Sequence, residues 1–322
     1  MKGWKHWIVI AVLIFAAAVI AGWLILQRSR REARALLDLL PPDADAYAVL
    51  DLEILQSNPA LKKFIADPPT TALSPDYRQL LSQSGFRYQN DLKQVAAAKL
   101  GPDWVGTAVV EADRQRLTSY LESQEAVKSE LEDRTVYTFG SERPFRLVFI
   151  DDRLVAFAIG SDVGHLQGIL ERYSNPLAGS ATQYLGQNGL LQRYPARSGL
   201  WFVGRMDRLL TVNPAGPGVG PFQFGMDWWE GSKLVIANVV SSPLRLDIHL
   251  ENQCESAATA ERMANAFKAV LAILQAVPEG DSNSPNYAPL LAAVAIRQSG
   301  ESVLFDWHWD PKMLALLTGD SR

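Results

Sequence analysis

The chain has 322 residues, 48% of them hydrophobic and 20% charged, enough to bury a substantial core and too apolar for general disorder. Its net charge of -4 is uneven: residues 1–35 carry Lys2, Lys5, Arg28, Arg30, Arg31 and Arg34 against Glu32, a balance of +5 that leaves -9 for the rest. An acidic domain repels phosphate backbones, which argues against nucleic acid as a partner, and the lone cysteine, Cys254, excludes an internal disulfide.

After an N-terminal tail (residues 1–6), residues 7–26 read WIVIAVLIFAAAVIAGWLIL without one charged side chain. At about 1.5 Å rise per residue such a helix matches the roughly 30 Å hydrocarbon core of a bilayer, so a transmembrane helix is expected. A cleaved signal has an apolar region of about 7–15 residues before its small residues. Here the run continues past Ala16, Ala17 and Ala18 to Trp23 and Leu26, which favours a retained anchor over a cleaved signal or a buried core helix. Arg28, Arg30, Arg31 and Arg34 then suit anionic lipid headgroups, making the bilayer the first expected partner. Counting Lys and Arg places the C-terminal domain in the cytoplasm by a small margin, while the short basic tail also suits a signal anchor that exports the domain.

Residues 27–40 hold good helix formers with apolar positions at Ala33, Leu36, Leu37 and Leu40, which predicts a juxtamembrane helix stopped by Pro41 and Pro42. Residues 46–50 read as a buried strand, 51–55 turn towards a short helix, 67–75 form a loop and 76–83 a helix. Paired strands follow over 94–100 and 105–111, then a helix over 114–123 and a strand over 135–139. Residues 145–150 and 154–159 flank a charged turn as a hairpin, and Ser161-Asp162 can cap a helix over 163–173. Helices are also expected over 257–277 and 287–293.

The order then repeats. At a spacing of 154, Tyr47 faces Trp201, Val49 faces Val203, Leu52 faces Met206 and Glu53 faces Asp207. At 140, Lys93 falls on Lys233 and Val110-Glu111 on Leu250-Glu251; at 149, Ile159 falls on His308. An α+β fold of two duplicated halves is expected, residues 41–174 and 200–322, joined by a Gly-, Gln- and Ser-containing connector over 175–199, each half an antiparallel sheet with helices on one face.

Catalytic equipment is scarce. The sequence has no HExxH, CxxC, GxSxG or GxxxxGK[ST] motif, so no cofactor or metal is expected, and Cys254 has no adjacent base. Alternation does leave Asp247, His249 and Glu251 on one side of a strand, and Asp306, His308 and Asp310 on one side of another. Were those strands adjacent, Asp247, His249, Asp306 and His308 would be candidate catalytic residues for metal binding or proton transfer; the simpler reading is a solvated sheet face. Residues 213–231 (NPAGPGVGPFQFGMDWWEG) combine flexibility with Phe222, Phe224, Trp228 and Trp229, a candidate interaction loop for a partner protein or the membrane interface, or else a loop folded over the domain's own core.

The run LLPPDADAYAVLDLEIL after an anchor, then SGFRYQNDLKQVAAA and LVFIDDRLVAFAIGS, resembles a group of uncharacterised bacterial envelope proteins that open with Leu-Pro-x-Asp-Ala, here Leu40, Pro41, Asp43 and Ala44 with one extra proline. The resemblance implies a single-pass protein of the cytoplasmic membrane with its domain outside the cytoplasm, and no known reaction. The function expected is a non-enzymatic interaction or scaffold module acting on another envelope protein; the alternative is a membrane-tethered metal-dependent or hydrolytic enzyme using the Asp/His face.

Overall fold

Antiparallel strands join into one 12-stranded sheet in the computed structural model. It describes residues 32–66, 83–124, 126–141, 143–175, 179–195, 197–209, 229–276 and 291–310, with Met313. A helix over 32–38 (α1) leads to β1 (Ala46–Asp51), α2 (Leu52–Gln56), α3 (Pro59–Ala66), α4 (Tyr88–Asp91), β2 (Leu92–Leu100) and β3 (Asp103–Val110). Next come α5 (Arg114–Ser123), β4 (Val127–Leu131), β5 (Arg134–Phe139), β6 (Phe145–Phe149), β7 (Leu154–Ile159), α6 (Gly164–Ser174) and α7 (Ala181–Gln187). A 3-10 turn at Leu191–Arg193 precedes β8 (Ser198–Arg205), α8 (Met206–Leu209), β9 (Ser232–Ser242), β10 (Arg245–Cys254), α9 (Ala257–Ala276), β11 (Val294–Ser299) and β12 (Ser302–Trp309). The strand order is β11-β12-β10-β9-β8-β1-β2-β3-β7-β6-β5-β4.

The centre of this sheet is the β1·β8 pair, where Tyr47 opposes Val203, Ala48 opposes Phe202 and Val49 opposes Trp201. Exchanging the two strands at a spacing of 154 leaves that register unchanged, as a local two-fold axis through the Ala48–Phe202 pair requires. Stepping outward through β2, β3, β7 and β6, Val49 is followed by Ala96, Thr107, Ala156 and Val148. Through β9, β10, β12 and β11, Val203 is followed by Ile236, Glu251, Leu304 and Arg297. The spacing of 140 therefore holds for β2 and β9 and grows to 144 for β3 and β10. Val110-Glu111 corresponds to Cys254-Glu255 rather than to Leu250-Glu251, because the β9–β10 hairpin runs two residues further on each strand. Ile159 corresponds to Trp307, not His308, because the spacing between β7 and β12 is 148 rather than 149.

Helices cover both faces, not one as the pattern predicts. On one face α1, α6 and α7 bury Leu36, Leu37, Leu40, Leu166, Ile169 and Leu185 against Ala96, Val105, Ala156 and Trp201. On the other, α5 packs Leu117 and Leu121 on Ala108, Phe149 and Val155, while α9 packs Ala260, Met263 and Ala264 on Cys254 and Val303. The reason lies in strands such as β7 (LVAFAI), which is apolar on both sides and must be covered on both. Strand β4, unpredicted from the sequence, is a polar edge (VKSEL) without an apolar rhythm.

The described part of the expected juxtamembrane helix belongs to the domain. Its Ala33, Leu36, Leu37 and Leu40 are buried, Thr107 Oγ1 donates to the Leu36 carbonyl (3.3 Å), and Ala181 N donates to the Leu40 carbonyl (3.0 Å). The connector likewise holds α7, whose Ala181 and Leu185 sit in the same core. Residues 7–26, with Arg28, Arg30 and Arg31, lie outside the described residues; among those described no helix is long and apolar enough to cross a membrane. The helices expected over 76–83 and 287–293 lie mostly outside the described residues too.

Truncating Leu37, fully buried, to Ala is expected to destabilise the domain by about 2–5 kcal/mol in urea titrations. Gly160 ends β7 at φ +139°, and a Cβ there would meet the Asp103 carboxylate at 2.0 Å. Gly160→Ala is therefore expected to lower the melting temperature, while Gly186→Ala, with nothing within 4 Å, serves as the neutral control.

Candidate functional site

The sequence leaves open whether the two Asp/His strands meet. They do: β10 and β12 are hydrogen-bonded neighbours, with Asp247 opposite His308 and His249 opposite Asp306. Alternation puts all four side chains on the face that carries α1 and α7 nearer the centre of the sheet. His308 Nδ1 lies 2.7 Å from Asp247 Oδ1, His249 Nδ1 lies 2.8 Å from Asp306 Oδ1, and the imidazole rings meet edge to face at 5.7 Å.

Three arginines complete the cluster. Arg245 donates to Asp247 and stands 3.0 Å from His308 Nδ1; Arg297 donates to Asp306; and Arg193, from the 3-10 turn, donates to Glu251. Glu251 also accepts from Ser302 Oγ (3.0 Å) and Gln253 Nε2 (3.1 Å). Burial pushes the Asp306 carboxyl up, but the hydrogen bonds from Arg297 and His249 outweigh it and hold the group below its ordinary range. A small cavity of about 210 Å³ opens beside His249, Asp306 and Arg193, where the buried Asn238 Oδ1 has no hydrogen-bond partner among the described residues.

Chemically this is a ladder of opposite charges. A histidine on a carboxylate can carry a proton, yet the sole thiol, Cys254, lies on the opposite face under α9. Burial pushes that thiol up, and Asn252 Nδ2 approaches its sulfur at 3.7 Å, as befits an unreactive core cysteine. Among the described residues no three His, Cys, Asp or Glu side chains stand close enough to hold a metal ion.

Trp229 is in the core, not on an interaction loop: it is 8% exposed, packs with Met206 and Val235, and meets Phe267 edge to face at 5.7 Å. Phe222, Phe224 and Trp228 lie outside the described residues. Arg34 is exposed on α1. The arginines of the cluster escape a reading of the sequence for different reasons. Arg245 shares the alternation of Asp247 and is legible there, whereas Arg193 and Arg297 arrive from separate elements.

The chain matches no protein-family model and no curated protein sequence. Among solved structures it is similar to crystal forms I, III and IV of TP0453, over 88% of this chain at 9–10% identity. The match spans 96, 98 and 96% of those chains, with TM-scores of 0.44, 0.46 and 0.44.

Asp306 titrates below its ordinary 3.8, so its contribution to stability is complete above that value and is lost as pH falls through the lower, folded one. Replacing Arg297 with Gln is expected to move the Asp306 midpoint upward in carboxyl-detected NMR titrations. An unchanged midpoint would contradict the pairing.

Proposed function

We propose that this chain is a single-pass, membrane-anchored, non-enzymatic interaction or scaffold protein of the bacterial envelope, with a duplicated domain outside the cytoplasm. The apolar run over 7–26 and the arginines behind it support the anchor; the self-symmetric β1·β8 register and matching strand order support the duplication.

One observation carries the interaction role. Equivalent rows of the sheet differ in cover: Val49, Ala96, Thr107, Ala156 and Val148 are all buried beneath helices, whereas Glu251, Leu304 and Arg297 on the other wing are half-buried or exposed. The open wing bears Asp247, His249, Glu251, Asp306, His308 and Arg297, a charged, pre-organised surface suited to another envelope protein. The two Asp–His contacts favour the second reading, a hydrolytic or metal-dependent enzyme; their carboxylates are already engaged by Arg245 and Arg297, which favours recognition over catalysis.

A photo-crosslinking amino acid at position 308 of the full chain is expected to give one discrete protein adduct in living cells, abolished by Arg297→Glu, while the same group at the exposed turn residue Asp133 gives none. No adduct at 308 would count against a partner on this face. External protease on spheroplasts is expected to digest the domain, and full protection would reverse the orientation.

A further inference from the structure

A second feature lies nearer the two-fold axis, independent of the anchor and of the open face. Strand β2 has a bulge at Lys93, the extra residue between Leu92, opposite Val110, and Gln94, opposite Val109. Strand β9 has its bulge at Lys233, between Ser232, opposite Cys254, and Leu234, opposite Gln253. A bulge turns its extra residue out of the strand's alternation, so the two lysines are aimed by the same device at equivalent positions.

Their surroundings then diverge. Lys93 is closed between Glu53 (3.6 Å) and Glu111 (3.3 Å), one from α2 and one just beyond β3. The corresponding residues of the other wing are Asp207 on α8 and Glu255 just beyond β10. They do not close on Lys233. Asp207 faces Arg205 at 3.5 Å, and among the described residues neither Lys233 nor the Glu255 side chain makes an ion pair. All three instead line a cleft of about 690 Å³ between α7 and the strands β8, β9 and β10. That volume is of the order of small-molecule sites, roughly 300–1,000 Å³.

The other charges on the cleft wall are committed. Arg193 is held by Glu251, Arg205 by Asp43 at 3.1 Å, and Asp45 by Arg208 at 3.6 Å and the Gly101 amide at 2.7 Å. One ammonium and one carboxylate are left over in the same cleft, an arrangement complementary to a ligand that carries one of each. We propose that this cleft binds a small zwitterion, an amino acid or a short peptide, with the ligand carboxylate on Lys233 and its ammonium on Glu255.

The test uses the full chain in detergent micelles and ligand-observed NMR with the free L-amino acids, Ala-Ala, N-acetyl-Ala-Ala and Ala-Ala-amide. At least one zwitterion of the panel is expected to bind, and capping either terminus of Ala-Ala to weaken it about tenfold or more, the loss of one charge-assisted contact. Lys233→Gln is expected to weaken zwitterions to the same degree without further weakening the amide, and Glu255→Gln to do so without further weakening the acetylated form. Thermal melts establish that each variant is folded. Absence of binding across the panel, or affinities indifferent to capping, would overturn the proposal without reference to any variant.

Discussion

Backbone pairing between β1 and β8 is the constraint on which the remaining architecture hangs. Among the described residues it is the one strand-to-strand junction between the two wings, five opposed residue pairs long, and the other strands extend outward from it as β2-β3-β7-β6-β5-β4 and β9-β10-β12-β11. Side chains fix the junction from one side: Trp201 and Tyr47 are almost wholly buried, and the Tyr47 hydroxyl accepts from Ala44 N and donates to the Pro41 carbonyl, each at 2.9 Å. Those bonds pin the chain where it leaves α1, so the helix beyond the basic segment is seated on the sheet rather than suspended from it. A one-residue slip here would turn every apolar side chain of β1 to the wrong face.

From that shared centre the wings differ by what lies over one face. The first wing is sealed by α1, α6 and α7, and its row of small apolar residues has no reason to be polar. The second keeps the same strand order as far as β11, the counterpart of β6, with longer β9 and β10 and, among the described residues, no strands matching β5 and β4; the positions equivalent to Val105 and Ala158 become His249 and Asp306. Buried apolar surface has been exchanged for a ladder in which each carboxylate meets a histidine or an arginine. Such half-buried pairs add little net stability.

Much of this architecture is legible in the sequence. Strand-like runs locate β1, β2, β3, β5, β6 and β7, and the 3.6-residue period locates α5, α6 and α9, whose apolar stripes face the sheet. Spacing at 154 captures the central pair, since neither strand gains or loses a residue there. It fails further out: the longer β9–β10 hairpin shifts the count, so that Val110-Glu111 corresponds to Cys254-Glu255 rather than to Leu250-Glu251. Two-sided helix cover is hidden because a strand's apolarity on both faces does not say which helix supplies the cover. Trp229 reads as a loop aromatic although Phe267, distant in sequence, claims it for the core. The cleft at Lys233 is invisible for the same reason, being made of α7, α8 and four strands that only the fold brings together.

Joining the two wings into one sheet through β1 and β8 has a direct signature in hydrogen exchange across the full chain. Amides of Ala46–Asp51 and Ser198–Arg205 should be among the slowest to exchange, opening only with the whole domain in a single cooperative unit. Two wings that open separately, with the β1·β8 amides exchanging ahead of those in β3 and β10, would refute the shared sheet.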